Sequence, residues 1–128
     1  MRHFFARANR HFLGASVLAL ACLSAAAPAL ADDYSEISRL LRAGQLSEAN
    51  TKVDQLLAAK SQDPQIRFFK GVILSEQGKP QEAIATFTKL TQDYPELPEP
   101  YNNLAVLYAG QSQFDKARAA LEMAIRTN

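Results

Sequence analysis

The fold of this chain is decided by residues 71–95, GVILSEQGKPQEAIATFTKLTQDYP. Apolar residues recur at helical spacing on both sides of a short break that holds Gly78 and Pro80. Glycine is favoured just past the end of a helix, and proline suits the first turn of the next one. The second apolar stripe consists of Ala83, Phe87 and Leu90. The stretch therefore predicts two helices joined by a tight turn.

The same pattern occurs three times with a period of 34 residues. The shift superimposes Gly44 on Gly78 and Ser112, Ala49 on Ala83 and Ala117, Val53 on Phe87 and Leu121, and Leu56 on Leu90 and Ala124. Columns that keep one chemical class at one offset indicate an internal repeat. We call the three copies the first, second and third units, at about 30–63, 64–97 and 98–128.

Each unit is predicted to contain two antiparallel helices and no strand. The breaks place the helices at 33–43, 46–60, 64–77, 80–93, 98–111 and 114–127. Gly71 and Ala105 are small where the two helices of a pair must cross closely, and Ala49, Ala83 and Ala117 are expected to face them. Because each pair buries its apolar face only against a neighbour, three units are near the minimum for a stable array.

These columns resemble the tetratricopeptide repeat family, whose motif is W-x2-L-G-x2-Y…A-x3-F…P. The third unit matches best, with Tyr101, Leu104, Ala105, Tyr108, Ala117, Leu121 and Ala124. The second supplies Gly71, Leu74, Gly78, Ala83, Phe87 and Pro95, but has Arg67 and Lys70 in the Trp and Leu columns. The first is degenerate and keeps Leu40, Gly44, Ala49, Val53 and Leu56. The resemblance covers nearly all of 33–127 and implies an all-α, right-handed α-solenoid of three antiparallel helix pairs.

The N-terminal segment has the features of a secretory signal peptide. Three arginines precede an uncharged stretch at 12–31, and the triplet Ala29-Leu30-Ala31 stands directly before Asp32. We predict a signal peptide at 1–31, cleavage between Ala31 and Asp32, and an exported domain at 32–128. The expected location is the periplasm of a Gram-negative-type envelope.

Three other interpretations of this segment stay open. Residues 12–31 are just long enough for an uncleaved membrane anchor, although Pro28 and the small residues suit such a helix poorly. A mitochondrial presequence should be amphipathic rather than continuously apolar. The third is acylation of Cys22, which would tether the chain to a membrane. Against it, Ala19 stands where bacterial lipoboxes prefer leucine, and apolar residues follow the cysteine.

Composition disfavours catalysis and nucleic-acid binding. A net charge of +1 over 128 residues lacks the basic excess of a nucleic-acid binder, and a single cysteine excludes an intramolecular disulfide. Cleavage after Ala31 leaves 97 residues with a net charge of −2 and no His, Cys or Trp. The usual general base and the strongest nucleophile are then absent, and the glycines form no phosphate loop. We expect a non-enzymatic protein without a metal or cofactor.

Protein binding is the function that this pattern favours. The resemblance implies a concave face built from the first helix of each pair, which would display Tyr34, Ser38, Leu41, Arg42, Phe68, Val72, Ser75, Glu76, Asn102, Asn103 and Val106. Adjacent helical positions differ by about 100°, so Phe68 and Phe69 cannot be equally buried. Phe68 could instead pack against the first unit, and Asn102 and Asn103 could be ordinary solvated surface or could hydrogen-bond an extended peptide.

The expected partner is a protein segment with mixed apolar and polar character. One family subtype grips a C-terminal carboxylate with Lys, Asn and Arg, but the corresponding positions here hold Tyr34, Ser38, Glu99 and Asn103. The predicted role is an envelope interaction scaffold, and the alternative is a lipidated assembly or pilot factor for envelope machinery. Tyr108, Leu121 and Ile125 should form an open apolar patch, covered by further chain, by a partner or by a second copy through self-association.

Overall fold

A computed structural model describes residues 26–60 and 62–127 and forms six helices there, without a strand among these residues. The helices are α1 (Ala26–Arg42), α2 (Leu46–Ala59), α3 (Pro64–Glu76), α4 (Pro80–Asp93), α5 (Pro98–Gly110) and α6 (Phe114–Thr127). The predicted all-α solenoid of three helix pairs is confirmed. Most of the predicted signal peptide, including Cys22, lies outside the described residues. Within them, none of the helices combines the length and hydropathy that crossing a membrane requires.

Helix α1 begins earlier than predicted, at Ala26 instead of residue 33. Alanine is the strongest helix former and is frequent in this segment. Leu30 adds a tertiary contact, because it packs against the apolar cluster of the first unit. The Ala29-Leu30-Ala31 triplet and Asp32 therefore lie within a helix in the uncleaved chain.

The turn inside each pair has the same geometry in all three units. Gly44 and Gly78 have φ values of +72°, as predicted for left-handed positions, and Ser112 takes φ of 60° in the third unit. The following N–H closes each helix at 2.9 Å, in the bonds Gln45 N to Leu40 O, Lys79 N to Leu74 O and Gln113 N to Tyr108 O. These 6→1 bonds end the first helix of each unit in the same way.

The core consists of two clusters, and each of them crosses a boundary between units. The first contains Ile37, Leu40, Ala49, Val53, Ile66, Phe69 and Ile73. The second contains Leu74, Ala83, Phe87, Leu104, Ala105 and Ala120. Each unit thus buries its apolar face against the next one, as a repeat array requires.

Gly71 confirms the predicted close crossing in the second unit, although its nearest neighbour is Phe87 and not Ala83. A Cβ atom at Gly71 would lie 2.5 Å from two ring carbons of Phe87. Because the Phe87 ring is fully buried, it has no free space into which it could move. A large residue in one helix is therefore accommodated by the missing side chain in the other.

The contacts between helices define which face of the array is concave. Helix α3 contacts both α1 and α5, whereas in the described part of the chain no contact joins α2 to α4 or α4 to α6. The first helices of successive units are thus closer together than the second helices. We call α1, α3 and α5 the inner layer, since closer spacing on one side curves the array toward that side.

Candidate protein-binding groove

The inner layer brings most of the predicted binding residues into rows that run across α1, α3 and α5. The first row holds Tyr34, Phe68 and Asn102, the second holds Ser38, Val72 and Val106, and the third holds Arg42 and Glu76. Leu41 and Ser75 lie between the second and third rows and are half-buried. Val106 is 72% exposed, which is high for an apolar side chain in the middle of a helix. We call the surface formed by these rows the groove.

The two adjacent phenylalanines of α3 have different environments. Phe69 is 7% exposed and packs against the Tyr34 ring with centroids 6.2 Å apart. Phe68 is half-buried and packs against Phe87 at 5.6 Å. The prediction that both could not be equally buried is confirmed. Phe68 contacts its own unit through Phe87, and part of its ring faces the groove.

Asn102 and Asn103 also differ. Asn102 is exposed in the first row of the groove. Asn103 occupies the column of the buried Phe69, and its Nδ2 donates to the carbonyl oxygen of Glu99 at 3.0 Å. The structure therefore places Asn103 outside the rows, with one side-chain donor already used within its own helix.

At the boundary between the first and second units, a hydrogen bond joins Tyr34 of the first row to Asp63, the residue before α3. The Tyr34 hydroxyl donates to Oδ2 of Asp63 at 2.7 Å, and Oδ1 of the same carboxylate accepts the backbone N–H of Ile66 at 3.0 Å. Asp63 is thus the N-cap of α3 and a link between two units. Burial of the tyrosine, followed by its bond to Asp63, raises the pKa of Tyr34 to about 12.

The equivalent place at the next boundary is an open pocket of about 270 Å³. It is lined by Pro64, Gln65, Phe68, Leu97, Glu99 and Pro100, and we call it the anchor pocket. Phe68 replaces Tyr34 one period later, and Leu97 replaces Asp63. Leu97 supplies no capping bond to α5. A carboxylate there would find no N–H three residues on, because that residue is Pro100.

The sequence interpretation missed the anchor pocket apart from Phe68. The signal was present in the same 34-residue comparison, in the pairs Tyr34/Phe68 and Asp63/Leu97. These columns lie outside the positions that define the motif, so the motif by itself does not point to them. The exposed carboxylate of Glu99 makes one side of the pocket acidic.

The two departures from the motif in α3 are held by ion pairs. Arg67 binds Asp93 at 2.8 Å and lies over the Tyr94 ring at 5.9 Å. Lys70 binds Asp54 of α2 at 2.9 Å. Hydrogen bonds from Lys89 and Arg67 lower the pKa of Asp93. Polar side chains therefore join α3 to both neighbouring helices at columns where the motif has Trp and Leu.

Family models described as tetratricopeptide repeat match residues 34–98 and 74–128. The chain belongs to the tetratricopeptide repeat family. The two matches together span all three units, including the degenerate first one. Tetratricopeptide repeats are typically non-catalytic protein-interaction scaffolds, so the rows of α1, α3 and α5 are the natural candidate for the binding surface.

A curated relative is the probable biofilm formation methyltransferase WspC of Pseudomonas putida, which is 29% identical over 111 residues. The match covers 80% of this chain and 26% of that protein. This tetratricopeptide repeat chain therefore spans about a quarter of the relative's length. The methyltransferase name describes the whole relative and does not establish an enzyme activity here.

Proposed function

We propose that this chain is a non-enzymatic interaction scaffold of the bacterial cell envelope, which holds a peptide or helix of a partner protein in the groove. The observation that carries the proposal is the anchor pocket at Phe68 of the first row, on the same layer of helices as the exposed Val106 of the second row. An open, largely apolar pocket and an exposed apolar residue on the same layer of helices give a partner two points at which to bury side chains.

The chemistry of the pocket indicates what it would accept. Phe68, Leu97 and the two prolines form apolar walls, and an apolar side chain that becomes fully buried contributes about 1.5–3 kcal/mol. Gln65 and Glu99 supply polar atoms at the same site. The favoured partner segment therefore has a large apolar residue flanked by a basic one, which would pair with Glu99.

Affinity capture from envelope extracts, followed by mass spectrometry, tests the groove. The double variant Phe68→Ala with Asn102→Ala, and the single variant Val106→Asp, are expected to lose the partners that the wild-type chain retains. Ala85→Asp is the control, because Ala85 is exposed on α4 and outside the inner layer. Equal partner recovery by all variants, with helicity unchanged in circular dichroism, would remove this surface from consideration.

Export is part of the proposal and has its own test. It is supported by the arginines before the uncharged stretch and by the Ala-x-Ala triplet that precedes Asp32. We expect the intact mass of the protein from a periplasmic fraction to match a chain that begins at Asp32. A mass that still includes Ala29 would contradict cleavage at this site.

The tethered alternative, a lipidated assembly or pilot factor, has a separate test. Acylation would require cleavage before Cys22 and would add a lipid to its thiol. Palmitate labelling that disappears in Cys22→Ser, together with release of the protein from membranes, would favour the alternative. Unchanged distribution of Cys22→Ser would favour the exported soluble scaffold.

A further inference from the structure

A second candidate surface lies between the two helices of the third unit, outside the rows of the groove. It is an open cleft of about 260 Å³ between α5 and α6, and we call it the side cleft. Its lining includes the buried Tyr101 and Leu104, the half-buried Tyr108, and the exposed Ala119 and Met123. Most of the surface that a ligand would meet here is therefore apolar.

The side cleft is open for a reason that does not depend on which units flank it. The same columns of the first unit form an open cleft of about 400 Å³, although the second unit follows it. In the second unit, Ala85 and Lys89 stand in the columns of Ala119 and Met123. Both are exposed, although one unit precedes them and another follows. Packing of units against each other thus leaves these columns uncovered.

The third unit differs from the other two in the chemistry of these columns. Where it has Tyr101 and Leu104, the first unit has two acids, Asp33 and Glu36, and the second has two bases, Arg67 and Lys70. All four of these charged side chains form ion pairs within the array. Among the three described units, the cleft is apolar only in the third.

The charges beside the side cleft are positive. The Lys116 ammonium lies 5.6 Å from the centre of the Tyr108 ring and forms no ion pair with a carboxylate of the described residues. On the other side, Nη1 of Arg126 donates to Sδ of Met123 at 3.9 Å. Asp115, the acid next to Lys116 in the chain, does not line the cleft. A carboxylate on a ligand would therefore complement this site.

We propose that the side cleft binds a segment of a partner protein that carries a large apolar side chain close to a carboxylate. The apolar side chain covers Tyr108, Ala119 and Met123, and the carboxylate pairs with Lys116. The anchor pocket has the opposite preference, because Glu99 favours a basic partner. The two sites thus select different segments, and both can be occupied at the same time.

A second copy of this chain is a poorer occupant. Its Phe114 is 64% exposed and precedes Asp115, so this pair has the required chemistry. Both residues lie in the first turn of α6, next to Lys116. Mutual insertion would bring together the N-termini of two α6 helices, with Lys116 and Arg118 of both copies. Repulsion between these positive ends favours a segment of another protein.

Selection of a phage-displayed library of random peptides on the purified protein tests the chemistry. Each enriched peptide is synthesised with a label and titrated by fluorescence anisotropy. We expect one class of peptides whose binding Ala119→Asp weakens by about tenfold or more, and this class should carry Leu, Met or Phe close to Asp or Glu. Ala85→Asp is the matched control, because it makes the same change in the same column of the second unit, at an equally exposed alanine.

A charge exchange tests the role of Lys116. Lys116→Glu gives the third unit the acid that Glu48 and Glu82 provide in this column, so circular dichroism should show an unchanged fold. The variant should weaken binding of the acidic peptide. A peptide with lysine in place of its acid should bind Lys116→Glu better than it binds the wild type.

Three results would overturn the inference. The first is the absence of any peptide class that is sensitive to Ala119→Asp and insensitive to Ala85→Asp, and the second is such a class without an acid. The third is a concentration-dependent dimer in light scattering that disappears in Phe114→Ser, which would identify a second copy as the occupant. A failure of the groove appears separately, because Val106→Asp should lose envelope partners and keep the peptides of the side cleft.

Discussion

The two boundaries between units have similar backbone angles at the helix caps and different side chains, and at the second boundary these side chains line a pocket. At the first boundary, Tyr34 donates to Asp63, and Asp63 caps α3. At the second, Phe68 has no hydroxyl to donate, and Leu97 has no carboxylate to receive it. At the second boundary, where this hydrogen bond does not form, Phe68 and Leu97 line an open pocket.

This comparison shows where a repeat protein can acquire a binding site. The columns that define the repeat are occupied by core residues and must be kept in every unit for the array to pack. Columns beside the core can differ between units at a smaller cost, because they contribute a cap or a hydrogen bond and not the shared core packing. Function is then introduced at one boundary without altering the others.

The largest expected effect on stability comes from Phe87, whose ring packs against Phe68 at the second boundary. Phe87→Ala should lower the free energy of unfolding by about 3–5 kcal/mol, because a fully buried ring leaves a cavity. Urea denaturation followed by circular dichroism measures this. Leu121→Ala, in the same column but half-exposed, should cost less than about 1 kcal/mol. Similar losses for the two variants would contradict the difference in burial between Phe87 and Leu121.

Asp63 has the next largest effect, at the first boundary. Asp63→Ala removes the cap of α3 and leaves the Tyr34 hydroxyl without its acceptor, with an expected cost of about 2 kcal/mol. Glu96→Ala is the control, as Glu96 is an exposed acid in the connection before α5. If Asp63→Ala unfolded at the same urea concentration as this control, the first boundary would not be held by the hydrogen bond.

A smaller effect is expected from the hydroxyl alone. Tyr34→Phe should cost about 1 kcal/mol at neutral pH. The pKa of Tyr34 rises from 10.0 to about 12 on folding, so its stabilisation is complete below pH 10 and is lost as the pH passes through about 12. Stability curves of wild type and Tyr34→Phe should therefore converge above pH 10. A difference in the free energy of unfolding between the two proteins that stays constant up to pH 12 would argue against the raised pKa of Tyr34.

The smallest effect on stability should come from giving the second boundary the side chains of the first. The same change should strongly weaken partner binding. The triple variant Phe68→Tyr, Leu97→Asp and Pro100→Ile reproduces Tyr34, Asp63 and Ile66, and should gain about 1 kcal/mol from the new cap. The anchor pocket should close, with loss of captured partners. Phe68→Tyr alone is the control, because Leu97 offers the new hydroxyl no carboxylate in the position of Asp63. A triple variant that folds and keeps its partners would show that the pocket is not the binding site.

Much of this fold could be predicted because its signals are local. Five of the six helices lie within one residue of their predicted ends, and α1 is the exception. Its start was predicted at residue 33 because residues 1–31 were assigned to a signal peptide, whereas Leu30 packs against the first cluster. Gly44 and Gly78 were predictable since their left-handed conformation is a property of the residue itself.

The candidate site was less predictable. The rows of the groove follow from the period, but Asn103 lies outside them because two neighbouring positions on a helix face different directions. The sequence predicted Ala83 opposite Gly71, but the structure has Phe87 there. Both residues lie on one face of α4, so the crossing angle of the two helices decides which of them meets the glycine. The exposure of Phe68 depends equally on how two units meet.

The sequence by itself determined the period, the helices, the turns and the all-α class, because each depends on residues within about one period of each other. Only the tertiary structure decided which boundary is closed and which is open. A hydroxyl at position 34 and a carboxylate at position 63 are 29 residues apart in the chain and 2.7 Å apart in space. Whether a gap between units is filled is a question of packing across the boundary, and packing acts between surfaces that the linear pattern does not bring together.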